Sequence, residues 1–151
     1  MDKKNKIITA AISEFARNGF EKASMDAVAL KAKVAKGTIF YHFKSKDILF
    51  AQIVEEGKSK LEKKIINEIK NIISNVDKIE KIIEIETDFV HKYRDLFFIY
   101  LGDTIKKVTT FGIIENVLET GVKKNEFRKN LNIKTTAVAL FWLVAMTSLN
   151  S

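Results

Sequence analysis

The chain has no cysteine, no proline and only two histidines among its 151 residues. Without cysteine there can be no disulfide, no thiolate zinc site and no thiol nucleophile. His42 and His91 stand far apart in the sequence, so no histidine-based metal site and no cofactor is expected. Average proline usage of about 5% would give roughly seven or eight in a chain of this size. A proline-free chain rich in Lys, Ile, Glu and Ala can run helices without interruption, which predicts an all-α fold. Long apolar runs are missing too. The longest uncharged stretch, residues 135–151, holds a continuous apolar part of only ten residues, where a membrane span needs about 20. It reads as a buried helix. Glu14 and Arg17 interrupt the N-terminal segment, which therefore does not resemble a signal peptide, and a cytoplasmic protein is expected. There is no glycine-rich phosphate loop and no G-x-S-x-G elbow, so no catalysis is expected.

What the chain has is a hydrophobic fraction of 46%, enough for a core, and a formal net charge of +7. That charge is uneven. Residues 1–46 carry ten Lys/Arg against four Asp/Glu, while the remaining residues carry sixteen against fifteen. A small basic head on a nearly neutral body is the footprint of a part that meets a polyanion, although a solubilising surface would look the same by charge alone.

Helical spacing resolves the head. Ile8, Ala11, Ile12 and Phe15 recur at the offsets of one helix face, and Asn18-Gly19 predicts its end. Ser24 is a candidate N-cap for a second helix, with Asp26 in its first turn. A break near 33–35 precedes a short third helix from Lys36 to Phe43, and Ser45 can cap a fourth. Two short helices joined by a tight turn and braced on either side make a helix-turn-helix arrangement. On the third helix, at 100° per residue, Ile39, Phe40 and Phe43 form an apolar side. Gly37, Thr38, Tyr41 and His42 share the opposite face, where hydroxyl, phenol and imidazole could reach base edges and phosphates in a major groove. An ordinary solvent-facing side remains the alternative for this helix taken alone.

Residues 7–49, and above all VAKGTIFYHFKSKDIL at 34–49, resemble the DNA-binding domain of TetR-family transcriptional regulators of prokaryotes. The resemblance implies a homodimer whose paired heads bind a palindromic operator, and a helical C-terminal domain holding an effector pocket and the dimer interface. It implies a helix-turn-helix domain over 1–47 and an effector and dimerisation domain over 48–151. By motif match, Lys36, Gly37, Thr38 and Tyr41 would touch bases or nearby backbone, while Ser24, His42 and Lys46 would hold phosphates. The chain departs from the family pattern at two places. Lys33 stands where a turn glycine is usual, so a residue with a Cβ must make the turn, at roughly 1 kcal/mol if left-handed, and it adds a positive charge close to DNA. Ala35 replaces a frequent serine and removes a side-chain cap.

In the body, helical spacing continues the fourth helix to about Ser74, with a turn at Asn75-Val76-Asp77. A fifth helix is expected to His91, a short sixth over 95–101, a seventh from Thr110 to Lys124, and a last one, capped by Asn132, over 133–149. That last helix is apolar almost all round, so it must be buried in a core or against another chain. Phe141 and Trp142 are the expected interface anchors. Family members usually continue by some tens of residues, so a missing C-terminal part is expected. On the fifth helix Glu86 falls in the middle of the stripe of Ile82, Ile83, Ile85, Phe89 and Val90. A carboxylate there needs a partner. It either pairs with a Lys or Arg, or opens to water, or faces an effector cavity walled by Phe89, Tyr93, Phe97 and Phe111. The last reading would favour a cationic or hydrogen-bond-donating apolar ligand. The function expected is a ligand-responsive repressor released from DNA by a small molecule. An architectural DNA-binding protein without an effector is the main alternative, and a basic helical protein docking on anionic membranes a further one.

Overall fold

Glycine 19 sets the first boundary. Its φ of 73° lies in the left-handed region, and it breaks the helical path inside α1 (Lys3–Lys22). The backbone N–H of Ala23 then bonds back to Gly19 O, closing the end that Asn18-Gly19 predicted. Upstream of that break α1 buries Ile7, Ile8, Ala11 and Phe15, with Ile12 only half-buried, so the inward stripe sits one position earlier than expected. Phe20 folds back onto Phe15, and both rings meet Phe50, with centroids 5.0–5.7 Å apart. Such aromatic pairs each contribute about 0.5–1.5 kcal/mol beyond burial.

The computed structural model describes residues 2–93 and 110–147, and among them it shows seven helices and no strand. The all-α expectation holds. After α1 come α2 (Met25–Ala32), α3 (Lys36–His42), α4 (Lys46–Ile69) and α5 (Asn75–Lys92), then α6 (Thr110–Lys123) and α7 (Ile133–Thr147). The helix expected over 95–101 lies outside the described residues, as does Phe97. Two compact units divide the described chain, one over 2–57 and the other over 58–93 and 110–147, so α4 contributes to both.

Caps explain most of the boundaries. Ser24 Oγ accepts the Ala27 N–H at 3.1 Å, Ser45 Oγ accepts that of Ile48 at 3.2 Å, and Asn132 Oδ1 accepts that of Thr135 at 3.0 Å. Lys33 makes the α2–α3 turn in the left-handed conformation, φ 56° and ψ 45°. The Val34 N–H bonds to Ala29 O behind it, a Schellman closure carried by a residue with a Cβ. One boundary differs from expectation. Helix α4 stops at Ile69, and residues 75–77 form the first turn of α5 rather than a loop. Ser74 Oγ caps it by accepting the Asp77 N–H at 3.2 Å, so the serine taken as a helix end is a helix start.

The core of the second unit is built from the end of α4 (Ile65, Ile69), from α5 (Ile82, Ile85), α6 (Ile114, Val117, Leu118) and α7 (Ala137). A clasp far apart in sequence fixes its register. The Glu126 carboxylate accepts the backbone N–H of Asn75 at 2.5 Å and its Nδ2 at 2.8 Å, so a residue after α6 caps the start of α5. These bonds hold the Glu126 carboxyl below the usual carboxylate range. Asn125, at φ 59°, turns the chain out of α6, and the Glu126 N–H bonds to Gly121 O at 2.8 Å. Gly121 is needed for space: a Cβ there would run into the Phe127 ring and crowd Asn75 Cβ.

Candidate nucleic-acid interface and effector site

Helix α3 is held from one side only. Ile39 and Phe43 are buried, fixing the helix to the first unit. Phe40, expected on the same side, is 37% exposed because it lies at the edge of the apolar arc. The opposite face is open: Tyr41 is 80% exposed, Lys36 and Gly37 are exposed, and Thr38 and His42 are half-buried. The Tyr41 and His42 rings meet edge to face at 5.2 Å, which limits where the phenol can swing. A Cβ on Gly37 would meet nothing within 4 Å. The chain itself therefore does not require glycine there, and the bare backbone leaves room for something from outside.

The basic residues around α3 differ in how free they are. Lys36 Nζ pairs with Asp26 Oδ1 at 2.8 Å, with both side chains more than 60% exposed. Such a surface pair contributes only about 0–1 kcal/mol, so a phosphate can take the ammonium. Lys33 is exposed on its turn. Ser24 uses its oxygen as an acceptor in the α2 cap, which leaves its O–H proton to donate. Lys46 is different. Its ammonium donates to Phe20 O at 2.7 Å, Glu21 O at 3.1 Å and Ala23 O at 3.2 Å, and it lies 4.5 Å from the centroid of the Phe20 ring. All three N–H groups are taken. Expected to hold phosphate, Lys46 in this arrangement braces the start of α4 against the end of α1, and a phosphate would have to displace a carbonyl.

The second unit places Glu86 as its stripe position foretold, 3% exposed. Neither carboxylate oxygen has a hydrogen-bonding partner among the described residues, and neither does Thr110 Oγ1, itself 2% exposed. Burial pushes the Glu86 carboxyl up to about 7; Thr110 lies near enough to oppose that shift, without a formed hydrogen bond. Of the expected aromatic walls, Phe89 meets Tyr93 at 4.8 Å, and Phe111 meets Phe141 edge-on at 5.1 Å. That second pair corrects the reading of α7. Phe141, expected at a subunit interface, is only 4% exposed within its own chain, because it sits on the inward stripe with Ala137, Val144 and Ala145. Trp142 is half-buried, and the outward apolar residues are Val138, Leu143 and Met146. Spacing alone could have separated the two stripes, since 138, 142 and 146 follow one another by four.

Residues 7–53 match the family model described as bacterial regulatory proteins, tetR family. This head is a TetR-family domain. Some relatives match only this region, while others extend over most of the chain. The Bacillus subtilis fatty acid metabolism regulator protein is 21% identical over 93% of this chain and 79% of its own. A Clostridium perfringens structure described provisionally as a fatty acid metabolism regulator is 28% identical, with a TM-score of 0.78 over 96% of this chain and 84% of that one. The Bacillus subtilis regulator FadR in complex with stearoyl-CoA is 20% identical, with a TM-score of 0.86, covering 97% and 85%. Among the described residues no group of His, Asp and Glu could hold a metal ion, and no helix is long and apolar enough to cross a membrane.

Proposed function

We propose that this protein is a ligand-responsive repressor of the TetR family that binds a palindromic operator as a homodimer and leaves it when a small effector binds the body. The observation that carries the reading is α3: an outward face of Lys36, Gly37, Thr38 and Tyr41 on a helix anchored by buried Ile39 and Phe43. Tyr41 and Thr38 read base edges, Gly37 admits the backbone close to the groove, and Ser24, Lys33, Lys36 and His42 hold phosphates. A single head of this size has too few base contacts for high specificity, so a two-fold dimer reads two half-sites. The outward α7 residues Val138, Trp142, Leu143 and Met146 make the dimer contact, in place of the Phe141 anchor. Two relatives carry names tied to fatty acid metabolism and one holds stearoyl-CoA, which supports an effector with a long apolar body. The effector acts by preferring the body conformation that misplaces the heads, and the coupling is reciprocal.

Selection of duplexes from a random pool tests this reading. A palindrome should emerge, and its affinity should fall with salt by about 0.9 log units per log unit of salt for each phosphate neutralised. Equal affinity for the selected and scrambled duplexes would favour the architectural alternative instead. A Leu143→Glu variant should sediment as a monomer with weak operator affinity.

A further inference from the structure

Among the described residues, three polar atoms are buried without a partner around one point of the second unit's core: both Glu86 oxygens and Thr110 Oγ1. Leaving one such group unsatisfied is expensive, and native cores rarely do so without a functional reason. Among the described residues no charged side chain repairs the deficit. The residues one turn from Glu86 on α5 are Ile82, Ile83, Phe89 and Val90. The helices packed on α5 carry Lys58, Lys60, Glu62, Lys63, Lys64 and Glu68 (α4), Glu115, Glu119 and Lys123 (α6), and Lys134 (α7), all exposed or half-buried. None of these charges acts on Glu86, whose shift comes from burial with Thr110 opposing it. What the carboxylate lacks is a donor, and the surrounding apolar side chains cannot supply one.

We propose that Glu86 and Thr110 form the polar anchor of the effector site, and that the ligand is an apolar molecule carrying a hydrogen-bond-donating, preferentially cationic, head. Phe89, one turn along the same face and in contact with Tyr93, offers an aromatic surface beside the head group. The chain's net charge of +7 repels cations at long range, so a preference for a cationic ligand would have a local origin. The preference depends on pH. Above about 7 Glu86 is ionised and selects the cation; below it the protonated carboxyl loses that selection. This inference rests on the body being the effector domain.

Isothermal titration of the full chain with decylammonium, decan-1-ol, methyl decanoate and decanoate separates the possibilities. At pH 8 decylammonium should bind most tightly, decan-1-ol less so, and the ester and carboxylate weakest. Glu86→Gln, which keeps an acceptor oxygen, should weaken decylammonium at least about tenfold while leaving decan-1-ol within about threefold. Thr110→Val should weaken both donors. Lowering the pH to 6 should erase most of the cation's advantage in the wild type and change nothing in Glu86→Gln. Circular dichroism on both variants establishes that they fold. Decylammonium binding unchanged in Glu86→Gln, or decanoate binding as tightly as the cation at pH 8, would overturn the assignment. Operator affinity measured alongside keeps the two readings apart. Glu86-dependent binding without any change in operator affinity supports the anchor and removes the regulatory reading. Release from DNA by acyl compounds that ignores Glu86 does the reverse.

Discussion

The two units of this chain leave opposite kinds of group unmet. In the head, interior and terminal polar groups find partners: Glu14 accepts from Asn18 at 2.6 Å, Lys46 satisfies three carbonyls, and Ser24 and Ser45 cap their helices. What stays open lies outside, on the polar face of α3. In the body the pattern is reversed. The outward face of α7 is apolar, and the unmet polar atoms lie inside, at Glu86, Thr110 and Asn75 Oδ1. A structure satisfied within and polar without is ready for a polyanion. One apolar without and unsatisfied within fits the second subunit and the buried ligand proposed above. Charge distribution agrees, since nearly all of the net positive charge belongs to the first 46 residues.

The largest effect that would sharpen this contrast comes from Glu86. Its folded-state value of about 7 lies above the usual 4.5, so between those values the folded chain keeps a proton that the unfolded chain has lost. The associated stability is complete below about 4.5 and disappears as pH rises through about 7, a loss of roughly 3 kcal/mol. Urea unfolding between pH 5 and 8 should show that fall in the wild type and not in Glu86→Gln. A flat wild-type profile would mean that the carboxylate has a partner.

On the head, the counterpart is Tyr41→Ala. Because the ring is 80% exposed, the melting temperature should not move, while operator affinity drops by about 1–3 kcal/mol and specificity relaxes at one base position. A drop in stability without a drop in affinity would make Tyr41 a structural residue and erase the contrast. Lys46→Met should act the other way, lowering stability by about 1–2 kcal/mol as three carbonyls lose a charged donor. If stability holds and only the salt slope of DNA binding falls by about one, Lys46 is a phosphate contact after all. The smallest effect is at Gly37. Since its surroundings leave room for a Cβ, Gly37→Ala should raise helix stability by less than about 1 kcal/mol yet weaken operator binding. The opposed signs are the signature of a glycine kept for an external partner.

The head was legible because its devices are local. Gly19, Ser24, Lys33 and Ser45 act on backbone groups within five residues of themselves, so sequence order displays them. The same holds for Asn132 in the body. Where the determinants are distant, sequence reading stops. Asn75 and Glu126 are joined across 51 positions, and nothing in either neighbourhood announces the pair. The Lys46 brace depends on the break at Gly19 presenting three carbonyls to one ammonium. Spacing divides α7 into two stripes but gives neither a direction, since both are apolar; packing against Phe111 decides that the Phe141 stripe faces in. The start of α5 is another matter. Ser74 followed three residues later by Asp77 is an N-terminal signature that sequence alone could have offered.

Hydrogen–deuterium exchange on the full chain tests the central contrast most directly, comparing the free protein, the protein with its selected duplex, and the protein with decylammonium. The duplex should slow exchange over 36–42 and around Lys33 while leaving the second unit's core amides almost unchanged. Decylammonium should slow exchange over 82–90 and 110–118, where Glu86 and Thr110 lie. Protection by the ligand confined to α3 or to the outward face of α7, with 82–90 unaffected, would contradict the account.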